Sequence, residues 1–305
     1  MSSMTVSQRD LRVMGCRAHL VVHGGDEHLL DLAVDRLREL ESYWSRFLPD
    51  SDVTRANLAA GSPVVVHEDT LAVVRRAIDG WQQTSGRFDI TLLPTLLREG
   101  YTHSTVDGAL APEVPGTRSA TCASLRLDYA ASTLTVGEGG AIDLGGIGKG
   151  FAADVIAEEL VEAGAQGALV NLGGDIAVQG LPGDDPVWLL GIEDPHRAPE
   201  LIATIRMLQG GVATSGTTVR RWARADGTES HHLLDPRLDG PSASEILTAT
   251  VVAGDAATAE IYATAVMQMT PPAAITFLDG VGLAGLVVAS DGSAYRSSTF
   301  EVHAA

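Results

Sequence analysis

The run Asp143-Leu144-Gly145-Gly146-Ile147-Gly148-Lys149-Gly150 carries four glycines in six residues. Glycine has no Cβ, so backbone there can approach a ligand closely and can take positive φ. A helix pattern follows, and the first turn of a helix offers unpaired N–H groups and a positive dipole end. With the ammonium of Lys149 these groups suit a phosphate or pyrophosphate. The two common nucleotide loops do not fit. A P-loop needs Gly, four residues, Gly-Lys, then Ser or Thr; here Asp143 stands first and Gly150 last. A dinucleotide fingerprint begun at Gly146 and Gly148 fails at Phe151. Taken alone, the segment is equally a tight strand-to-helix turn that binds nothing.

Three further clusters carry chemistry. Thr214-Ser215-Gly216 ends an apolar, strand-like run, where hydroxyls can meet phosphate or ribose, although Ser and Gly are also common turn residues. In His231-His232-Leu233-Leu234-Asp235-Pro236, an imidazole that titrates near neutrality suits a general base. Asp235, three residues beyond His232, can orient that ring or a backbone N–H; a surface histidine pair with no task reads the same way. Glu260 and Thr264 are four residues apart on a predicted helix, hence on one face. Their oxygens suit Mg²⁺, which takes hard donors and keeps water and phosphate ligands.

These residues need elements to position them. Val- and Leu-rich alternation predicts a strand over 11–23, interrupted at Met14-Gly15. Asp26 is placed to cap a helix with Leu30, Ala33, Val34 and Leu37 on one face. A turn at 49–52, a short strand at 63–67 and a helix from Asp69 to a stop at Gly86 follow. Scattered Gly, Pro and Ser over 102–120 predict a long surface loop. A hairpin is expected over 124–137, then the glycine loop and a helix ending at Gly164. Strands are expected at 167–178 (broken by Gly173-Gly174), 187–192, 201–207 and 246–253, with a helix over 256–269 and two strands over 281–303. Strands come both in runs and between helices, so the expected fold class is α+β with mixed, largely antiparallel sheets flanked by helices. The chain is expected to form a single domain over 1–305, with room for two lobes.

Composition narrows the function. The 305 residues are 45% hydrophobic, enough for a sizeable core, and carry a formal net charge of −18. Nucleic acid and anionic membrane want Lys and Arg, so neither is an expected partner. A small phosphorylated ligand is still compatible, because a few N–H groups and one metal ion can hold it. Cys16 and Cys122 have no Cys-x-x-Cys spacing, so neither a zinc site nor a dithiol centre is expected. The polar start lacks a signal-peptide pattern and no stretch has the length of a membrane span, so the expected location is cytoplasmic.

In order along the chain, these segments resemble the ApbE-type FAD:protein FMN transferases. The matching stretches are Met14-Gly15; Trp44-Ser45-Arg46-Phe47 with Pro49-Asp50-Ser51 and Asn57; and Gly86-Arg87-Phe88-Asp89-Ile90-Thr91 with Pro94. They continue with Asp143 to Gly150 with Asp154, Asn171-Leu172-Gly173-Gly174-Asp175, Ala213-Thr214-Ser215-Gly216, His232 to Pro236, and Glu260 with Thr264. The resemblance implies a central cleft for FAD, Mg²⁺ on its pyrophosphate, and transfer of FMN to a Ser or Thr hydroxyl of a target protein with release of AMP. It implies His232 and Lys149 as catalytic groups. It implies flavin-nucleotide contacts from Met14, Ser45, Asn57, Asp89, Thr91, Gly145, Gly146, Lys149, Asp154, Gly173, Gly174, Thr214, Ser215, Gly216 and Asp235. The implied metal ligands are Glu260, Thr264 and the carbonyl of Gly148. Two positions depart from the family: Glu260 stands where Asp is usual, and Gly148 where Ala is usual. A FAD pyrophosphatase giving FMN and AMP, and a non-catalytic FAD-binding protein, are the alternative readings.

Overall fold

In a computed structural model of the chain the described residues are 5–59, 61–104, 108–114, 120–183, 185–218, 220–224 and 227–304. Parts of the expected surface loop, 105–107 and 115–119, lie outside them. The chain divides into two compact units, one drawn from residues 1–37, 149–218 and 244–305, the other from 38–148 and 219–243.

The first unit is built on an eight-stranded sheet. Its strands run in the order Val6–Val13, Cys16–His23, Gly167–Leu172, Asp175–Gly180, Gly210–Gly216, Ile246–Ala253, Ala284–Ala289 and Ala294–Arg296. Every neighbouring pair is antiparallel. A separate hairpin, Trp188–Glu193 with Leu201–Met207, alternates buried and exposed residues. It buries Trp188, Leu190, Ile192, Ile205 and Met207 together with Val178, Val212, Val252, Leu286 and Phe300. The two-residue period of a strand is what delivers one apolar face to that core. The Ala256–Val266 helix packs on the Gly210–Gly216 and Ile246–Ala253 strands. It is apolar nearly all round, the mark of a buried helix, yet it carries Glu260.

The second unit holds the helices Asp52–Leu58, Glu68–Gln83 and Leu93–Arg98 and a small sheet of Val64–Val65, Thr133–Thr135 and Arg126–Asp128. Two short ribbons complete it, Arg221–Ala223 with Glu229–His231, and Leu234–Asp235 with Gly240–Pro241. The architecture is the expected α+β arrangement with antiparallel sheets.

Differences from the sequence reading are local. The strand expected over 11–23 is a hairpin whose first arm begins at Val6, turning through Met14 and Gly15, both at positive φ. Its polar first arm escapes a periodicity search because an edge strand need not bury alternate residues. A short helix, Asp52–Leu58, follows the 49–52 turn, capped by the Ser51 hydroxyl, which accepts from the Thr54 N–H at 3.0 Å. A second unexpected helix, Pro271–Val281, starts with proline at its first positions and stops at Gly282, φ 73°. Those prolines read as loop punctuation although proline is also favoured in the first helical turn.

Candidate active site

The Gly148–Glu162 helix brings Lys149 to the sheet at the turn where Gly173-Gly174 reverses the chain into Asp175. Lys149 Nζ forms ion pairs with Asp175 Oδ2 and with Glu260 Oε1. The side chains are 15%, 5% and 3% exposed, so solvent screens them little. The other Glu260 oxygen accepts the Gly150 N–H at 2.7 Å. One helical turn on, Thr264 Oγ1 lies 3.4 Å from Ser215 Oγ, and Thr214 Oγ1 lies 2.8 Å from Thr250 Oγ1. The structure therefore gathers Lys149, Glu260, Thr264, Ser215 and Asp175 within one unit. The sequence reading assigned no role to Asp175; its only signal was a carboxylate directly behind a paired-glycine turn.

Two buried carboxylates face one ammonium, which leaves an excess negative charge. Burial and the neighbouring Asp175 push the Glu260 carboxyl up to about 8, against the pull of Lys149. The folded-state value lies above the ordinary 4.5, so the folded chain holds a proton there that the unfolded chain has lost. Stability of the metal-free protein is therefore expected to fall as pH rises from about 4.5 to about 8. Chemical denaturation across that range, with and without Mg²⁺, checks it; a flat profile in the absence of metal would contradict the buried excess charge.

The donor set fits a hard divalent ion. Glu260, Asp175 and Thr264 offer only oxygen, and the cluster holds two carboxylates to one ammonium. Among the described residues no three His, Cys, Asp or Glu side chains converge as a protein-only cage. A Mg²⁺ here would draw on hydroxyl, carbonyl, water and phosphate oxygens, as that ion commonly does.

The glycine loop is more structural than its composition suggests. The Gly145 N–H donates to Asp143 Oδ1 at 2.7 Å and the Gly148 N–H to the Leu144 carbonyl at 2.7 Å. Asp143 in turn holds Arg46 Nε at 2.6 Å. With Ile147 N–H also on the Leu144 carbonyl and Gly150 turned to Glu260, four N–H groups between Gly145 and Gly150 serve the chain itself. Gly150 also allows two helices to touch, since a Cβ there would lie 2.5 Å from the Ala256 carbonyl oxygen. Gly150→Ala is expected to cost about 1–3 kcal/mol by overpacking, read from urea unfolding; a neutral effect would mean the helices part freely.

Several residues implied as nucleotide contacts have other tasks here, because nearby backbone donors claim their oxygens. Asp154 accepts the Ala256 N–H at 2.7 Å and the Ala257 N–H at 2.9 Å, capping the helix that carries Glu260. Asn57 exchanges two hydrogen bonds with the Ile142 backbone, at 2.9 and 2.8 Å, and so anchors the segment entering the glycine loop. Asp235 is held by the Arg237 guanidinium and N–H rather than by a histidine. Asp89 Oδ1 accepts the Thr91 N–H at 2.8 Å and the Thr91 hydroxyl at 2.6 Å. Ser45 Oγ accepts the Phe47 N–H at 3.3 Å. Met14 forms the hairpin turn, Gly146 belongs to the loop, and Gly216 ends its strand. Gly174 donates to Asn171 Oδ1 at 2.9 Å.

The two adjacent histidines differ. His231 lies in a strand with Nε2 3.2 Å from the Ser242 carbonyl, and burial holds it below the ordinary histidine pKa. His232 follows that strand, with Nδ1 3.4 Å from the Arg220 carbonyl. The second unit also stacks Tyr101 on Trp222, 5.1 Å apart, with the Arg46 guanidinium over Tyr101 and Phe47. The sequence reading did not foresee this stack, since its members are far apart in the chain.

The antiparallel sheet thus carries a buried Lys–Asp–Glu cluster beside Ser and Thr hydroxyls. The chain belongs to the ApbE family, whose model matches residues 14–287. A FAD:protein FMN transferase of Vibrio cholerae is 29% identical over 90% of this chain and 85% of its own. One of Treponema pallidum is 30% identical over 84% of this chain and 74% of its own. Among solved structures, the ApbE protein of Thermotoga maritima superimposes with a TM-score of 0.85 at 25% identity, covering 98% of this chain and 99% of its own. The flavin transferase ApbE of Vibrio cholerae gives 0.81 at 25% identity, with 98% and 99% coverage. Among the described residues no helix is long and apolar enough to cross a membrane.

Proposed function

We propose that this chain transfers FMN from FAD to a Ser or Thr hydroxyl of a target protein and releases AMP. The observation that carries this reading is the oxygen-rich, negatively charged cluster around Glu260, on segments shared with the family. Glu260, Thr264 and the Gly148 carbonyl would hold Mg²⁺, which supplies Lewis-acid neutralisation of charge on the diphosphate. Lys149 contributes a further cation to the same oxygens, and Ser215 and Thr214 offer hydroxyls. His232 takes the proton of the acceptor hydroxyl as that oxygen attacks phosphorus.

The test is to mix the protein with FAD, Mg²⁺ and a peptide carrying Asp-x-x-Thr-Gly-Ala-Thr, then follow peptide mass and AMP. Peptide that gains FMN, with stoichiometric AMP, is the expected result. FMN and AMP with unmodified peptide would make the protein a pyrophosphatase. Intact bound FAD with neither product would make it a flavin carrier.

A further inference from the structure

Lys149 is the single lysine of the chain; the other 20 of its 21 Lys and Arg residues are arginines. An ammonium differs from a guanidinium in ways that matter at this position. It is a compact point charge on a flexible stem, whereas a guanidinium is a planar fork that locks onto one carboxylate. Lys149 bridges two carboxylates from different elements, one on a sheet turn and one on a buried helix. Glu260 is fixed on its far side by the Gly150 N–H, so Oε1 is the oxygen whose partner can change.

We propose that Lys149 is a resident surrogate cation: it occupies Glu260 in the metal-free protein, and a divalent ion displaces it onto Asp175. Asp175 is then a positioning residue that retains the displaced ammonium beside the metal. This rests on the reading of Glu260 and Thr264 as metal ligands. The charge arithmetic gives the exchange a consequence. With both carboxylates ionised, Lys149, Asp175 and Glu260 sum to −1; a divalent ion, which also displaces any proton held on Glu260, brings the sum to +1. The cluster thus becomes positive, and attracts a diphosphate, only once the ion is in place, so metal binds before the dinucleotide. An arginine at 149 would bind its carboxylate too persistently to exchange in this way.

One lysine also makes the exchange observable. Lysine labelled with ¹⁵N at Nζ gives a single side-chain ammonium signal in the full-length protein, with no FAD present. Mg²⁺ is expected to move that signal with the midpoint that calorimetry gives for Mg²⁺ binding. Lys149→Met removes the competitor and is expected to bind Mg²⁺ about tenfold more tightly than wild type. A lysine signal unmoved at saturating Mg²⁺ overturns the proposal, as does Lys149→Met binding no more tightly, including the case where neither protein binds. If Lys149→Met does not fold, the lysine signal of the wild-type protein decides alone. Failure of the underlying reading looks different: Glu260→Gln and Thr264→Ala would then bind Mg²⁺ as wild type does.

Discussion

Glu260→Gln is expected to lower Mg²⁺-dependent FMN transfer by about 10³-fold while leaving the metal-free protein within about 1 kcal/mol of wild-type stability. The activity loss follows from the charge the ion would otherwise neutralise, which is worth several kcal/mol in the transition state. The stability argument runs against the usual rule that removing one partner of a buried ion pair is costly. Here the cluster holds one carboxylate too many. Glutamine leaves Lys149 paired with Asp175, keeps an oxygen for the Gly150 N–H, and removes the excess charge. The pH dependence of stability between about 4.5 and 8 should flatten in the same variant, because the group that titrates is gone. Single-turnover FAD cleavage and urea denaturation check the two halves. Wild-type activity would remove Glu260 from the site, and a loss of several kcal/mol would show that the cluster is a structural ion pair.

His232→Ala is expected to reduce kcat for transfer to the peptide acceptor by about 10²–10⁴-fold, the usual contribution of a general base. FAD affinity, followed by flavin fluorescence, should change little, because the proposed role concerns the acceptor proton and not the dinucleotide. His231→Ala is the matched control. That ring is half-buried and contacts the Ser242 carbonyl, so its loss should lower stability rather than the chemical step. Equal effects on kcat from the two variants would refute the assignment of the base to His232.

Much of this was legible in the chain. The strands expected at 187–192 and 201–207 are present at Trp188–Glu193 and Leu201–Met207, and the structure pairs them as a hairpin. Gly164 marked where a helix ended, whereas Gly173-Gly174, expected as a break in one strand, is the positive-φ turn between two antiparallel strands. The four-residue spacing of Glu260 and Thr264 put both on one helix in the structure. The Pro271–Val281 helix escaped because proline carries two opposite local meanings. The Arg46–Tyr101–Trp222 stack escaped because pattern rules see neighbours in sequence only.

The glycine loop shows where the limit lies. Residue types and spacing determined that a flexible loop with one cation precedes a helix, and that it is neither a P-loop nor a dinucleotide fingerprint. They could not determine which groups its N–H donors and its lysine would meet. Only the tertiary structure assigned the Gly150 N–H to Glu260, the Gly145 N–H to Asp143, and Lys149 to carboxylates 26 and 111 residues away. The physical reason is that a buried charge must find its partner wherever the fold brings one, and that partner is set by packing rather than by distance along the chain.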